Sequence, residues 1–218
     1  MKIHYFGHSC FRLESDAGTS IVTDPFGGIG FELPAGLRAD AVTVSHGHYD
    51  HCRVNAVGGS PAVYDRAGRY ALGDISFEAV ESYHDDAQGR KRGKNLIFRF
   101  QIDGLTVCHL GDLGEEPTAT RVASIAPADV LLIPVGGVYT IDAAAAREYV
   151  GRIKPAAVIP MHYQTADLNM RLGSVEAFTG LFSGREAEIC PAGSEIEWKS
   201  GSSDRIKIFV MERSRTWN

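Results

Sequence analysis

From Ser45 to His51 the chain reads Ser-His-Gly-His-Tyr-Asp-His, which sets three imidazoles and a carboxylate within six positions. A purely structural stretch has little reason to reach that density. His46 and His48 alternate as residues at a strand end do, so both can point to one side, while Asp50 and His51 follow in the turn and can face a second ion. Imidazole nitrogen and carboxylate oxygen without a thiolate are the donors of a catalytic zinc, manganese or iron centre, whereas structural zinc sites usually draw on cysteine. The preceding Asp40-Ala41-Val42-Thr43-Val44 reads as an apolar strand that delivers the cluster.

Three further donors each close an apolar strand: His84 after Glu81-Ser82-Tyr83, Asp112 after His109-Leu110-Gly111, and His162 after Ile159-Pro160-Met161. A lone loop histidine is ordinarily structural, but strand ends are where sites are built, and these three stand beside a cluster. The pattern predicts an early meander of strands at 2–6, 10–15 and 19–24, then a Gly- and Pro-rich loop to a strand at 41–44. A helix-compatible piece at 52–57 and strands at 61–64, 74–83, 95–102 and 105–110 follow. Val130-Leu131-Leu132-Ile133-Pro134 is continuously apolar, as a strand covered on both faces must be. A helix over 142–152 has Thr140 and Asp142 as candidate caps and is expected to end near Gly151. A strand at 156–160, a helix at 173–182 and short strands over 186–210 complete the reading. Strands early, helices late and strands again predict an α/β chain of two packed sheets with helices outside.

At 218 residues and 44% hydrophobic content, the chain suits one domain spanning 1–218. A net charge of -5 gives no global attraction to nucleic acid or to an anionic membrane. The four cysteines, at 10, 52, 108 and 190, form no Cys-x-x-Cys pair, which fits a reducing cytoplasm. The N-terminus enters a strand-like Lys2-Ile3-His4-Tyr5-Phe6 without a signal peptide, and no stretch reaches the roughly 20 apolar residues of a membrane span. A soluble protein without membrane insertion is expected.

The ordered set of Asp24, residues 46–51, His84, Asp112 and His162 resembles the metallo-β-lactamase superfamily, whose pattern is an early Asp, His-x-His-x-Asp-His, and then His, Asp and His at strand ends. The resemblance implies a four-layer αβ/βα sandwich, two mixed β-sheets with helices on both outer faces and metals at one edge. It assigns His46, His48 and His84 to one divalent ion and Asp50, His51 and His162 to a second, with Asp112 bridging. Zinc is the expected metal, and manganese, iron or nickel are compatible. Asp24 would orient a ligand imidazole, although Asp-Pro also serves as turn punctuation. Asp at position 112, where many true β-lactamases carry Cys, disfavours antibiotic hydrolysis, and His48 argues against the flavodiiron proteins, which carry Glu there. Persulfide dioxygenases share the motif with one iron. Gly7-His8-Ser9-Cys10-Phe11, His109-Leu110-Gly111-Asp112-Leu113-Gly114 and Pro134-Val135-Gly136-Gly137-Val138-Tyr139-Thr140 resemble a branch of small metal-dependent hydrolases, similar also to ascorbate-6-phosphate lactonase and N-acylphosphatidylethanolamine phospholipase D.

The function implied is hydrolysis of an ester, lactone or phosphodiester by a hydroxide held between two metals, Asp50 being part of the catalytic set. The alternatives are a mononuclear iron oxygenase acting on a sulfur substrate and a non-catalytic metal-dependent binding protein. His8 is a candidate proton donor or substrate contact, or a hydrogen-bonded structural histidine. Tyr139 on its Gly-Gly loop can polarise a substrate oxygen or simply pack. His109 alternates with Leu105 and Val107, which points to the core or to support of a ligand. Arg90, Lys91, Arg92 and Lys94 form one basic run after His84, either a contact for an anionic small-molecule substrate or a solvated hairpin tip. One basic loop is a weak footprint for nucleic acid, and a homo-oligomer is compatible with the sequence.

Overall fold

The computed structural model describes residues 1–199 and 204–217. In chain order the strands and helices are β1 (Lys2–Gly7), β2 (Cys10–Glu14), β3 (Ser20–Thr23), β4 (Ala41–Thr43), β5 (Ala62–Tyr64), β6 (Gly68–Leu72), β7 (Ile75–Tyr83), β8 (Lys94–Ile102), β9 (Leu105–His109) and α1 (Ala119–Ile125). They continue with β10 (Val130–Pro134), α2 (Ala143–Ile153), β11 (Ala157–Met161), α3 (Val175–Thr179), β12 (Ala187–Ala192), β13 (Glu195–Glu197) and β14 (Ile206–Met211). Two mixed sheets result, in the orders β13-β1-β2-β3-β4-β5 and β12-β14-β11-β10-β9-β8-β7-β6. The expected pair of packed sheets is therefore present.

The strand periodicity explains the layers. Ile3, Tyr5, Phe11, Leu13 and Ile21 of the first sheet meet Phe98, Phe100, Val107, Leu132 and Ile159 of the second in one buried core. Full burial of a side chain such as Phe98 or Phe100 stabilises the fold by roughly 1.5–3 kcal/mol. The alternate residues Leu131, Ile133, Val158 and Ile208 face outward and pack with Tyr149, Val150 and Phe178 of the helices. This two-sided burial accounts for the unbroken apolar run at 130–134. On the outer face of the first sheet, Phe6, Val22 and Val42 are covered by Phe26, Ile29, Leu37 and Val57. A Gly- and Pro-rich loop and a one-turn 3-10 helix (Val54–Ala56) stand there in place of long helices.

Local differences from the sequence reading have plain causes. Asp142 caps α2 by accepting from the Ala145 N–H at 2.9 Å, but the helix runs through Gly151 and stops at a left-handed Lys154. The helix expected over 173–182 contracts to α3, and α1 and β6 come without a strong prior signal. The short strands expected over 186–210 are β12, β13 and β14, with residues 200–203 lying outside the described residues. Among the described residues no helix is long and apolar enough to cross a membrane.

Candidate metal centre

Strand direction gathers the site. β1 and β3 both run antiparallel to β2, and β4 lies parallel to β3, so the turns that carry His8, Asp24 and residues 45–51 leave one end of the first sheet. In the second sheet β10 and β11 run parallel to β9, and β7 shares that direction through two antiparallel steps across β8. His84, Asp112 and His162 follow the carboxyl ends of β7, β9 and β11, which is where open sheets place their ligands.

One carboxylate oxygen is the centre of the constellation. Asp112 Oδ2 lies 3.2 Å from His84 Nε2, 3.2 Å from His162 Nε2, 3.3 Å from His51 Nε2 and 3.9 Å from His46 Nε2. Donor atoms within 4.8 Å of one another fall into three overlapping groups: His46, His48 and His84; His46, His51 and Asp112; and His8, Asp50, His51 and His162. All seven donors singled out in the sequence are thus brought together, and His8 joins them.

The surroundings fix each donor's direction. Asp24, fully buried, accepts from the Ser45 N–H at 2.7 Å, from the Ser45 hydroxyl at 2.6 Å and from His51 Nδ1–H at 2.9 Å, which turns His51 Nε2 toward Asp112. Asn95 Oδ1 accepts from the Asp112 N–H at 2.9 Å. His109 touches none of the donors directly; its Nε2–H donates to the Ser9 carbonyl at 2.8 Å and its Nδ1 accepts from the Gly111 N–H at 3.2 Å. It therefore ties the turn after His8 to the turn before Asp112. His8, Asp24 and His162 carry positive φ values of 55°, 41° and 52°, strain of order 1–3 kcal/mol each that sits on the site itself. Gly111 has φ +54, and a Cβ there would meet Asn95 Oδ1 at 2.3 Å, so only glycine fits before Asp112.

Burial and mutual charge set the protonation pattern. Burial, reinforced by His162, lowers the His8 pKa to about 4, and burial with the charge of His51 lowers that of His46 to about 3. Burial opposes protonation of His51, yet Asp112, Asp24 and Asp50 raise its pKa well above the usual imidazole range. Burial likewise opposes ionisation of Asp112, but His162 and His51 hold it well below the carboxylate range. Asp24, Asp50 and Asp112 thus all converge on the His51 imidazole, at 2.9, 3.5 and 3.3 Å. Among the described residues His51 Nε2, His162 Nε2 and Asp112 Oδ1 have no hydrogen-bond partner despite burial. Converging carboxylates and unpartnered donor atoms are what a divalent cation satisfies, so the residues fit a metal.

A pH dependence follows for chelator-treated protein. Between about pH 6.5 and 4 the unfolded chain binds protons that buried His8 and His46 refuse, so stability falls as pH drops. Above about pH 6.5 the raised His51 gives the opposite slope, its contribution being lost as pH climbs through its folded pKa. Denaturant midpoints measured from about pH 4 to 9 should peak near neutrality. A profile that rises steadily to the alkaline end would contradict this protonation pattern.

A cavity of about 460 Å³ opens onto the donors and is bordered by His48, Asp50, His84, Asp112 and His162 together with Arg92, Tyr139 and Met170. That volume suits a small molecule. His8 is buried and does not border it; its Nε2 lies 3.0 Å from Asp50 Oδ2, behind the donors. Of the basic run, Arg92 alone reaches this cavity. Lys91 pairs with Asp86 at 2.6 Å, Lys94 pairs with Glu81 at 2.9 Å, and Arg90 is exposed and borders neither this cavity nor its neighbour. Of the four residues read either as a contact or as a solvated tip, only Arg92 thus borders this cavity, because the β7–β8 loop curls. Asp85, which the sequence reading passed over, curls it: its carboxylate accepts from the backbone N–H of Ala87, Gly89, Lys91 and Arg92 at 2.7–2.9 Å. Burial opposes its ionisation, but these four bonds hold its pKa at about 2. An Asp followed by Gly89 and Gly93 was the available signal.

A model of the beta-lactamase superfamily domain matches residues 2–162. A Thermotoga maritima protein, assigned to the Zn-dependent hydrolases of the metallo-β-lactamase superfamily, superposes with a TM-score of 0.79 at 38% identity over 96% of this chain and 98% of its own. The chain belongs to the metallo-β-lactamase superfamily. Within that superfamily, a UPF0173 metal-dependent hydrolase of Carboxydothermus hydrogenoformans is 30% identical over 199 residues, 76% of this chain and 85% of the relative. A metallo hydrolase of Ignicoccus hospitalis shares the fold at a TM-score of 0.59 and 23% identity, covering 78% of this chain and 85% of its own. This superfamily member is accordingly a metal-dependent hydrolase.

Proposed function

We propose that the protein is a two-metal hydrolase that cleaves an ester, lactone or phosphodiester bond in a small molecule. The observation that carries this reading is the position of Asp112 Oδ2 within 3.9 Å of four imidazoles, of which His46 and His84 group with His48, and His51 and His162 with Asp50. His46, His48 and His84 would hold one ion, Asp50, His51 and His162 the other, and Asp112 both. Zinc suits this nitrogen and oxygen set, as do manganese, iron and nickel. Held there, such ions would supply an activated water near neutral pH and Lewis-acid polarisation of the bond under attack.

The protein's own groups supply orientation and proton control. Asp24 keeps the proton of His51 on Nδ1, which leaves Nε2 for a metal. His8, neutral at pH 7, donates Nε2–H to Asp50 and so fixes that carboxylate; its role is orientation, behind the reacting groups. Tyr139 borders the same cavity as Asp50 and Asp112, where its hydroxyl can donate to a substrate oxygen. His109 holds the two turns in register. The four free cysteines suit a reducing compartment such as the cytoplasm.

The test is a screen of nitrophenyl esters, lactones and bis(nitrophenyl) phosphate with metal-loaded and chelator-treated protein. Turnover of at least one class is expected, lost with the metal and restored by zinc or manganese. Turnover that survives complete metal removal would refute the reading.

A further inference from the structure

The cavity has a polar end that the metal donors do not explain. Arg92 stands there, exposed, with its guanidinium carbon 4.8 Å from the centre of the Tyr139 ring. One N–H, on Nη2, reaches the Val138 carbonyl at 3.3 Å. Among the described residues Arg92 forms no ion pair, whereas its neighbours Lys91 and Lys94 are both matched by carboxylates. Its backbone is held from the other side, where Asp85 accepts the Arg92 N–H at 2.7 Å. A guanidinium carries five donors in a planar fork, so four remain for a ligand once Val138 has taken one. Tyr139 covers one face of the fork and leaves its edge open.

We propose that Arg92 is the anion-recognition residue of this site and that the substrate carries a carboxylate or phosphate at the end remote from the bond being cleaved. The inference rests on the two-metal reading for the location of that bond. Arg92 borders both the 460 Å³ cavity that holds the donors and an outer cavity of about 380 Å³ lined by His84, Tyr139 and Asp142. A ligand reaching from the metals to Arg92 would place one oxyanion at each end. Asp85 acts through Arg92 as a positioning residue, since without its four backbone bonds the loop would not present the guanidinium at the rim.

The test uses metal-loaded protein and binding rather than turnover. Linear α,ω-dicarboxylates from succinate to pimelate are titrated calorimetrically against the monocarboxylates of equal chain length, with matched ω-phosphonocarboxylates as a third series. At one chain length the dicarboxylate or phosphonocarboxylate should bind about tenfold more tightly than the monocarboxylate, as a charge-assisted paired hydrogen bond provides. The better of the two dianions assigns the remote group as carboxylate or phosphate. Arg92→Gln should erase that preference, Arg92→Lys should retain part of it, and Asp85→Asn should diminish it with the Arg92 charge intact. A preference that persists in Arg92→Gln, equal losses for mono- and dianions, or no preference at any length would overturn the assignment. Dianion preference without hydrolysis of any ester, lactone or phosphodiester would leave Arg92 in this role and remove the hydrolytic reading instead.

Discussion

Replacing Asp112 with alanine is expected to lower kcat/KM by at least about 10³-fold, equivalent to about 4 kcal/mol of transition-state stabilisation, and to weaken both of the proposed metal sites together. The reason is positional. Asp112 Oδ2 lies within 3.9 Å of the Nε2 atoms of His46, His51, His84 and His162, so no other side chain can take over its place between the two halves. His162→Ala should instead mainly weaken the ion assigned to Asp50, His51 and His162. Elemental analysis of the two variants after equal dialysis separates them. Asp112→Ala protein that retains two ions with unchanged affinity would refute the bridging role proposed for Asp112.

The second large effect concerns stability as well as metal. Asp24→Ala leaves the Ser45 N–H, the Ser45 hydroxyl and His51 Nδ1–H buried without their acceptor. Breaking a buried network of this kind costs about 3–5 kcal/mol. Losing the group that orients a ligand imidazole should also weaken metal binding by about 10–100-fold. Urea denaturation with and without zinc measures both losses. Asp24→Asn keeps the shape and one acceptor oxygen, so a smaller loss there than in Asp24→Ala would show that acceptor geometry carries part of the effect. Wild-type stability in both variants would reduce Asp24 to turn punctuation before Pro25.

How much of this was legible in the sequence depends on whether the determining contact is local. The strands could be read because burial imposes alternation, as with Ile3, Tyr5 and Phe11, or two-sided apolarity, as in Val130 to Pro134. Asp103-Gly104, with φ of 50° and 77°, joins β8 to β9 by a tight turn. The candidate metal donors could be read because their chemistry is unusual and because they follow the ends of strands. The cover of the first sheet could not: Phe26, Ile29 and Leu37 have no periodicity, and their contact with Phe6 and Val22 exists only in the folded chain. Asp85 was equally hidden, since one carboxylate receiving four N–H groups depends on the path of the loop it organises. The same curl decides which basic residue meets the cavity. Charge was visible along Arg90, Lys91, Arg92 and Lys94, but direction was not.

The most direct test of the two-metal account is the number of ions that the protein binds. Metal-free protein titrated with zinc, its bound metal counted by plasma mass spectrometry, should saturate at two ions per chain, and hydrolysis should track occupancy of the pair. Saturation at a single ion with full activity would contradict the account.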